Sequence, residues 1–237
     1  MTELAGARTP MGDISLRVRL DPTLGIPVYE AKLDDEYLMS SLFTVAEVAL
    51  ASLGLAECSA RTLDVAVGGL GLGYTACAVL TDPRVQSLVV VEALDEVTDW
   101  HRRGLLPDAT GLATDPRVRL VSGDFFACVR SGEGFDPTRP GHRFDVILLD
   151  VDHTPTHLLH PSHADLYEAA GLQRLARLLT GQGVFALWSD DPPDDAVVGV
   201  LTQVFAAAHA HVVTFANPLT GGESSNTVYV ATVAGAG

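Results

Sequence analysis

Hydrophobic and polar positions follow two different periods along the first 60 residues. Residues 14–20 alternate apolar and polar side chains, as a half-buried strand does, and a turn at 21–25 leads to a second strand at 27–33. Residues 35–53 instead carry apolar side chains at helical spacing. The pattern therefore predicts a disordered start at 1–12, a small N-terminal β-hairpin, and a helix that ends at Gly54.

From residue 63 onwards, strand-like and helix-like segments alternate. Alternation of this kind predicts an α/β fold with a mostly parallel sheet and right-handed crossovers. The last two strands are joined by a short loop rich in Gly and Ser, so they must form an antiparallel C-terminal hairpin. The predicted strands are 63–67, 88–92, 117–121, 144–149, 184–188, 211–216 and 226–233, and the predicted helices are 74–81, 94–103, 124–130, 165–180 and 194–209.

Length and charge narrow the class of protein. A chain of 237 residues with 47% hydrophobic residues can bury one large core, and we divide it into a tail and hairpin at 1–36 and a sheet domain at 37–237. The net charge of −15 disfavours a nucleic-acid partner. The first 13 residues lack the apolar core of a signal peptide, and 65–81 is too short and glycine-rich for a membrane span. We expect a cytoplasmic protein with no membrane partner.

A glycine-rich turn follows the first strand of this domain. Gly69, Gly71 and Gly73 remove side chains where a buried strand gives way to a helix, so a nucleotide-like ligand can lie against the backbone. Tyr74 stands where a dinucleotide fingerprint would need a further glycine. Glu92 ends the next strand about 20 residues later, where a carboxylate can accept both ribose hydroxyls of an adenosine. The alternative is a surface Glu at a strand end.

Acidic residues also follow the next two strands. Asp124 could accept the adenine amino group, could cap the helix that starts at 125, or could do both. Asp150 ends its strand near the expected switch point of the sheet, beside the group that would be transferred. Asp152 and His153 lie on the following loop, where either could orient or deprotonate a nucleophile.

Metal binding is an alternative for two sets of residues, and we do not favour it. The spacing of the loop histidines matches no zinc signature, and they can equally be polar loop residues. Asp150 with Asp190 and Asp191 would offer hard oxygen ligands to a divalent cation. Three separated cysteines suggest neither a disulfide framework nor a zinc knuckle. The loop histidines are His153, His157, His160 and His163.

The chain resembles the spermidine synthase-like branch of the class I S-adenosylmethionine-dependent methyltransferase superfamily. The resemblance runs from about residue 13 to 233 and implies a Rossmann-like sheet. It implies S-adenosylmethionine or its decarboxylated form as cofactor, a small-molecule substrate, and a possible homodimer. The matching stretches are 37–41, 67–75, 91–92 with Trp100, 115–118 leading to 123–124, 148–152 and 183–189.

Two departures from the family pattern bear on the activity. Spermidine synthases carry an aspartate in the glycine turn that helps to hold the amine end of the decarboxylated donor, whereas this chain has Leu70 or Leu72 there. They also carry a second acid after the fourth strand, and this chain has His153 at that position. Both departures remove contacts that recognise an amine. We therefore predict methyl transfer to a small molecule, aligned in line with the sulfonium.

Two other functions stay open at this point. In an aminopropyltransferase, Asp150 would take a proton from the attacking amine, and the acidic charge would draw a polyamine towards the site. Alternatively, the domain binds an adenosyl ligand without catalysis and acts as a scaffold. In the methyltransferase, Asp150 or His153 would be the base and Asp152 would orient it.

Overall fold

The computed structural model describes residues 1–233 and has eleven strands and six α-helices in that range. The strands are β1 (Thr2–Thr9), β2 (Gly12–Leu20), β3 (Pro27–Leu33), β4 (Glu36–Ser40), β5 (Leu63–Gly68), β6 (Val85–Glu92), β7 (Val118–Ser122), β8 (Phe144–Leu149), β9 (Leu179–Ser189), β10 (Ala207–Asn217) and β11 (Gly222–Thr232). The helices are α1 (Val45–Glu57), α2 (Tyr74–Leu80), α3 (Asp95–Arg102), α4 (Phe125–Ser131), α5 (Ala169–Ala176) and α6 (Asp195–Leu201).

The N-terminal sheet is larger than the sequence pattern predicts. Four antiparallel strands lie in the order β1-β2-β3-β4, so the prediction of disorder at 1–12 is wrong. The helix predicted over 35–53 also begins too early, because the chain turns back at Asp34, which has a φ of 52°, and continues as β4. A short polar residue tolerates that left-handed conformation in a tight turn. The predicted division at 36/37 therefore cuts β4, and the domain division stays a prediction.

The main sheet has the predicted architecture. Seven strands lie in the order β10-β11-β9-β8-β5-β6-β7. The five neighbouring strands β9, β8, β5, β6 and β7 are parallel, whereas β11 pairs antiparallel with both β9 and β10. The helix predicted over 194–209 ends early, because the chain from Ala207 pairs with β11. The helix predicted over 165–180 is divided into a 3₁₀ segment, Pro161–Tyr167, and α5.

The core lies on both faces of the central strands. Val65 and Val67 pack into one buried cluster, and Ala66 packs into the other, as continuous apolar strands of a covered parallel sheet do. Helix α1 lies close to the sheet at Gly54, where a Cβ would come within 2.7 Å of Leu148. No helix in residues 1–233 is long and apolar enough to cross a membrane.

Candidate active site

A cavity of about 820 Å³ opens beyond the carboxyl ends of the parallel strands. Its floor is the turn after β5, the end of β6, and the loops after β7, β8 and β9. Met39 from the N-terminal sheet and Phe215 from the C-terminal hairpin line its other side. This is where ligands bind in open α/β sheets, and the volume is within the range of small-molecule sites.

The glycine turn brings backbone against the cavity, as predicted. Gly69 and Gly73 have φ values of 91° and 92°, and Gly71, with a φ of 50°, lies between them. A Cβ on Gly69 would lie 2.1 Å from the carbonyl oxygen of Asp150, so only glycine allows β5 and β8 to approach this closely here. The turn amides of Gly69 and Gly73 bond backbone oxygens of the chain itself. The turn therefore lets a ligand come close to the backbone, but the N–H groups of Gly69 and Gly73 are not free to donate to it.

Glu92 is buried beneath this turn, with 8% of its surface exposed. Its Oε2 accepts the backbone N–H of Leu70 at 2.9 Å, and its Oε1 accepts that of Leu94 at 2.9 Å. Burial raises the pKa of Glu92, and these backbone donors act against that shift. Glu92 also lines the cavity, and a carboxylate oxygen can accept more than one hydrogen bond, so Glu92 can accept ribose hydroxyls there. The alternative of a surface Glu is wrong.

His101 supports the turn from behind, which the sequence pattern did not reveal. Its Nε2 lies 2.8 Å from the carbonyl oxygen of Gly71, and a Cβ on Gly73 would come within 2.7 Å of its ring. Burial lowers the pKa of His101, so the ring is held neutral and its Nε2–H donates to that carbonyl. The turn is therefore fixed on both sides, by Glu92 and by His101.

Asp124 caps helix α4 and also lines the cavity. Its Oδ1 accepts the backbone N–H groups of Phe126 at 2.8 Å and Ala127 at 3.1 Å. Within residues 1–233, its Oδ2 has one hydrogen-bond partner, the guanidinium of Arg130 at 3.4 Å. Capping is therefore observed, and one oxygen is left over for a ligand. Its role towards adenine stays a prediction.

Asp150 stands at the cavity beyond the end of β8, where the sequence places it. Its backbone N–H donates to the carbonyl of Gly68, and its Oδ2 accepts the hydroxyl of Thr75 at 2.6 Å. Burial raises the pKa of Asp150, and the Thr75 hydroxyl acts against that shift. A carboxylate with a raised pKa accepts a proton from a substrate more readily than an ordinary one.

Two further carboxyls face the same cavity. Glu47 lies on α1, and Asp190 lies just beyond β9, where the side-chain amide of Asn226 donates to its Oδ1 at 2.6 Å. Burial, followed by the charges of Asp150 and Asp190, raises the pKa of Glu47 to about 8. Sequence reasoning missed Glu47, although an acid inside an otherwise apolar helical stretch was a usable signal.

These three carboxyls have no cationic partner in the part of the chain that the structure describes. None of the ion pairs within residues 1–233 involves Glu47, Asp150 or Asp190. Their mutual repulsion is therefore left for a ligand to relieve. Among the same residues, no three His, Cys, Asp or Glu side chains form a metal-binding group.

Asp152 does not line the cavity and cannot deprotonate a substrate there directly. It is 3% exposed and accepts the backbone N–H of Leu159, the hydroxyl of Tyr167 and a ring nitrogen of His163. It therefore orients His163 and has no hydrogen bond to Asp150 or His153 within residues 1–233, so its predicted role in orienting the base stays a prediction that these contacts do not support. His153 does line the cavity, and its Nε2 pairs with Glu36 at 3.2 Å. A catalytic role for His153 stays a prediction.

Comparison of the structure with solved structures identifies the fold. Spermidine synthase from Thermotoga maritima matches 97% of this chain and 72% of its own, with a TM-score of 0.73 and 20% identity. The chain has the spermidine synthase fold. A spermidine synthase in complex with the transition-state analogue AdoDATO matches with a TM-score of 0.72 and 19% identity, again over 97% and 72% of the two chains. The predicted resemblance is confirmed in fold.

A more distant structure has the wider fold. Human methyltransferase-like protein 13 in complex with SAH matches this chain with a TM-score of 0.56 and 23% identity, over 80% of each chain. The class I methyltransferase architecture predicted from the sequence is therefore confirmed.

The sequence relatives of this chain described here are aminopropyltransferases by name. Polyamine aminopropyltransferase 2 from Pseudomonas aeruginosa is 29% identical over 153 residues, which are 62% of this chain and 41% of the relative. Polyamine aminopropyltransferase from Corynebacterium efficiens is 35% identical over 99 residues, 41% of this chain and 17% of the relative. The chain thus matches less than half the length of either relative. No protein-family model matches it.

The prediction of methyl transfer is contradicted by these comparisons. The sequence relatives are named for aminopropyl transfer, and the most similar of the structures described above are spermidine synthases. The prediction depended on the loss of two amine-binding acids from the family pattern. That loss does not leave the cavity without acids, because Glu47 and Asp190 bring other carboxyls to it.

Proposed function

We propose that the chain is a transferase that moves an aminopropyl group from decarboxylated S-adenosylmethionine to an amine acceptor. The acceptor nitrogen attacks the carbon beside the sulfonium and forms a new N–C bond. The C–S bond breaks at the same time, and its electron pair leaves with sulfur in neutral 5′-methylthioadenosine. The attacking nitrogen gives up one proton to a base on the protein.

The observation that carries this proposal is the group of three unpaired carboxyls at one cavity. Glu47, Asp150 and Asp190 come from three different elements and have no cation of the described chain beside them. An acceptor with ammonium groups would supply the missing positive charge, and electrostatic complementarity of this kind also speeds its encounter with an acidic protein. The named activity of the sequence relatives supports the same reading.

The donor would lie against the glycine turn. Gly69, Gly71 and Gly73 would let its chain approach the backbone, Glu92 would accept the ribose hydroxyls, and Asp124 would accept from adenine. Leu70 and Leu72 are apolar and also line the cavity. The acids across the cavity would repel the carboxylate of ordinary S-adenosylmethionine, so we expect them to favour the decarboxylated donor.

Asp150 would be the base. The Thr75 hydroxyl holds one of its oxygens, which leaves the other to receive the proton of the attacking amine. The raised pKa of Asp150 increases its affinity for that proton, so no second residue is needed to act as the base. Asp190 would hold the rest of the acceptor by its charge, and Glu47 would do so after losing its proton to solvent when the ammonium group binds.

Titration calorimetry with the two donors tests this function. We expect decarboxylated S-adenosylmethionine to bind at least tenfold more tightly than S-adenosylmethionine. We also expect the triple variant Glu47→Gln, Asp150→Asn, Asp190→Asn to lose that preference, because it removes the repelling charge. Tighter binding of ordinary S-adenosylmethionine by the unaltered protein would contradict the proposal.

A further inference from the structure

Asp152 and His163 form a buried pair that the proposed reaction does not use. The Nδ1 of His163 lies 2.8 Å from Asp152 Oδ1, and the two residues are 7% and 3% exposed, respectively. Asp152 also accepts the hydroxyl of Tyr167 at 2.7 Å and the N–H of Leu159 at 2.8 Å. A carboxylate that receives other donors can only accept from the ring, so Nδ1 of His163 carries a hydrogen.

The ring of His163 is fixed in orientation as well as in tautomer. It stacks on the ring of Phe126 with centroids 3.7 Å apart and planes 7° from parallel. Within residues 1–233, Nε2 of His163 has no hydrogen-bond partner. This nitrogen is nevertheless not sealed from solvent. His163 lines the cavity, so Nε2 is the ring nitrogen that is left to meet a ligand. In the neutral ring, that nitrogen is an acceptor.

This acceptor lies on the same side of the cavity as Asp124. Phe126, on which the His163 ring stacks, donates its backbone N–H to Asp124. Arg130 links the two segments, because it donates to the carbonyl of Ser162 at 3.0 Å and lies 3.4 Å from Asp124 Oδ2. The two cap bonds occupy Oδ1 of Asp124, so Oδ2, which Arg130 also approaches, is the oxygen that can accept from a ligand.

We propose that His163 recognises the 6-amino group of the donor's adenine ring, as a second acceptor beside Asp124. An amino group has two hydrogens, and Asp124 Oδ2 and His163 Nε2 give each of them an acceptor. A 6-oxo purine presents an acceptor at that position and would face two acceptors of the protein. The inference rests on the proposed function only for the adenosyl ligand, and it assigns the base specificity of that site.

The test compares 5′-methylthioadenosine with 5′-methylthioinosine, its 6-oxo counterpart, by titration calorimetry. The His163→Phe variant keeps an aromatic ring for Phe126 and removes Nε2. We expect it to weaken binding of the adenosine compound about tenfold and to leave binding of the inosine compound within about twofold, because a buried donor of the former loses its acceptor. His157→Phe, on the same loop but exposed and outside the cavity, should change neither affinity.

Nitrogen-15 spectra of the unaltered protein give a second measurement that needs no stable variant. We expect His163 to show a protonated Nδ1 and a bare Nε2, and the Nε2 signal to shift when 5′-methylthioadenosine binds but not when the inosine compound is added. A doubly protonated ring, or an equal loss of both affinities in His163→Phe, would overturn the role of His163.

The two proposals fail in different ways. Binding of 5′-methylthioadenosine with the expected His163 effect, but without any aminopropyl transfer, would overturn the proposed function and leave the base specificity standing. Failure of the unaltered protein to bind 5′-methylthioadenosine would overturn both.

Discussion

The two sides of the cavity are built in opposite ways. On the glycine side, the buried Glu92 has both oxygens bonded to backbone N–H groups, and His101 holds the carbonyl of Gly71. On the acid side, burial raises the pKa of both Glu47 and Asp150, the charge of Asp150 raises that of Glu47 further, and neither forms an ion pair within the described chain. One side is complete by itself, and the other is completed by a ligand.

The two sides would therefore contribute to ligand binding in different ways. Groups that are already bonded to the chain fix a shape before the ligand arrives, which reduces the cost of ordering on binding. Unpaired carboxyls instead destabilise the free protein and are stabilised by a cationic ligand, so they link ligand binding to charge and pH. Substitutions on the two sides should therefore change different quantities.

Removal of the proposed base should have the largest effect. Asp150→Asn retains an acceptor for the Thr75 hydroxyl but cannot take a proton at neutral pH. We expect kcat for aminopropyl transfer to fall about 10²- to 10⁴-fold while donor affinity changes little. Asp195→Asn, exposed at the start of α6 and outside the cavity, is the matched control. Equal steady-state rates for Asp150→Asn and the unaltered protein would show that Asp150 is not the base.

The buried acid on the glycine side should control donor affinity. Glu92→Gln turns one acceptor oxygen into an N–H₂ group that faces a backbone N–H of Leu70 or Leu94. We expect the Kd for 5′-methylthioadenosine to rise about 10- to 100-fold, because a charged hydrogen-bond acceptor is lost. Glu96→Gln on α3, outside this cavity, makes the same chemical change and should leave Kd unaltered. An unchanged Kd in Glu92→Gln would exclude it from the donor site.

Alanine substitutions at two glycines with nearly equal φ values distinguish the cost of backbone strain from the cost of side-chain crowding. Gly111, at φ 88°, has open space where a Cβ would lie, whereas a Cβ on Gly73, at φ 92°, would come within 2.7 Å of His101. Gly111→Ala should lower the free energy of unfolding by about 1–2 kcal/mol through the left-handed conformation alone. Gly73→Ala should lower the free energy of unfolding by about 1–3 kcal/mol more than Gly111→Ala does, because its Cβ also meets His101. Urea unfolding measures both, and equal losses would show that His101 does not confine the turn.

The acid side should make stability depend on pH. Because burial raises the pKa of Glu47 to about 8, the folded protein holds a proton there that the unfolded chain loses near pH 4.5. Stability from this group is full below pH 4.5 and is lost as the pH rises to about 8. Unfolding at pH 6–7 should release about one proton more than it does in Glu47→Gln. Calorimetry in buffers of different ionisation enthalpy measures this, with the exposed Glu57→Gln as control.

Much of this fold follows from local pattern. The central strands are buried on both faces, so the apolar run at 63–67 and the glycines after it identify a strand and a ligand-binding turn without tertiary information. The acids at the strand ends, Glu92 and Asp150, follow from the same rule, because parallel strands end at one edge of the sheet.

The missed features depend on contacts between distant segments. Helical spacing at 35–53 is compatible with a strand followed by a helix, and pairing of β4 with β3 decides between them. Glu47 joins the site because α1 packs beside Thr75, whose hydroxyl lies 3.4 Å from the Glu47 carbonyl. The sequence pattern marks His163 only as one of four loop histidines, because its partner Asp152 lies eleven residues away along the chain.

The most direct test is a turnover experiment with decarboxylated S-adenosylmethionine and 1,4-diaminobutane, followed by mass spectrometry of both products. If the cavity holds an adenosyl donor on one side and an amine on the other, 5′-methylthioadenosine and the aminopropylated diamine should form in equal amounts. Formation of a methylated product from ordinary S-adenosylmethionine, with no aminopropylated amine from any diamine or polyamine offered, would contradict the account.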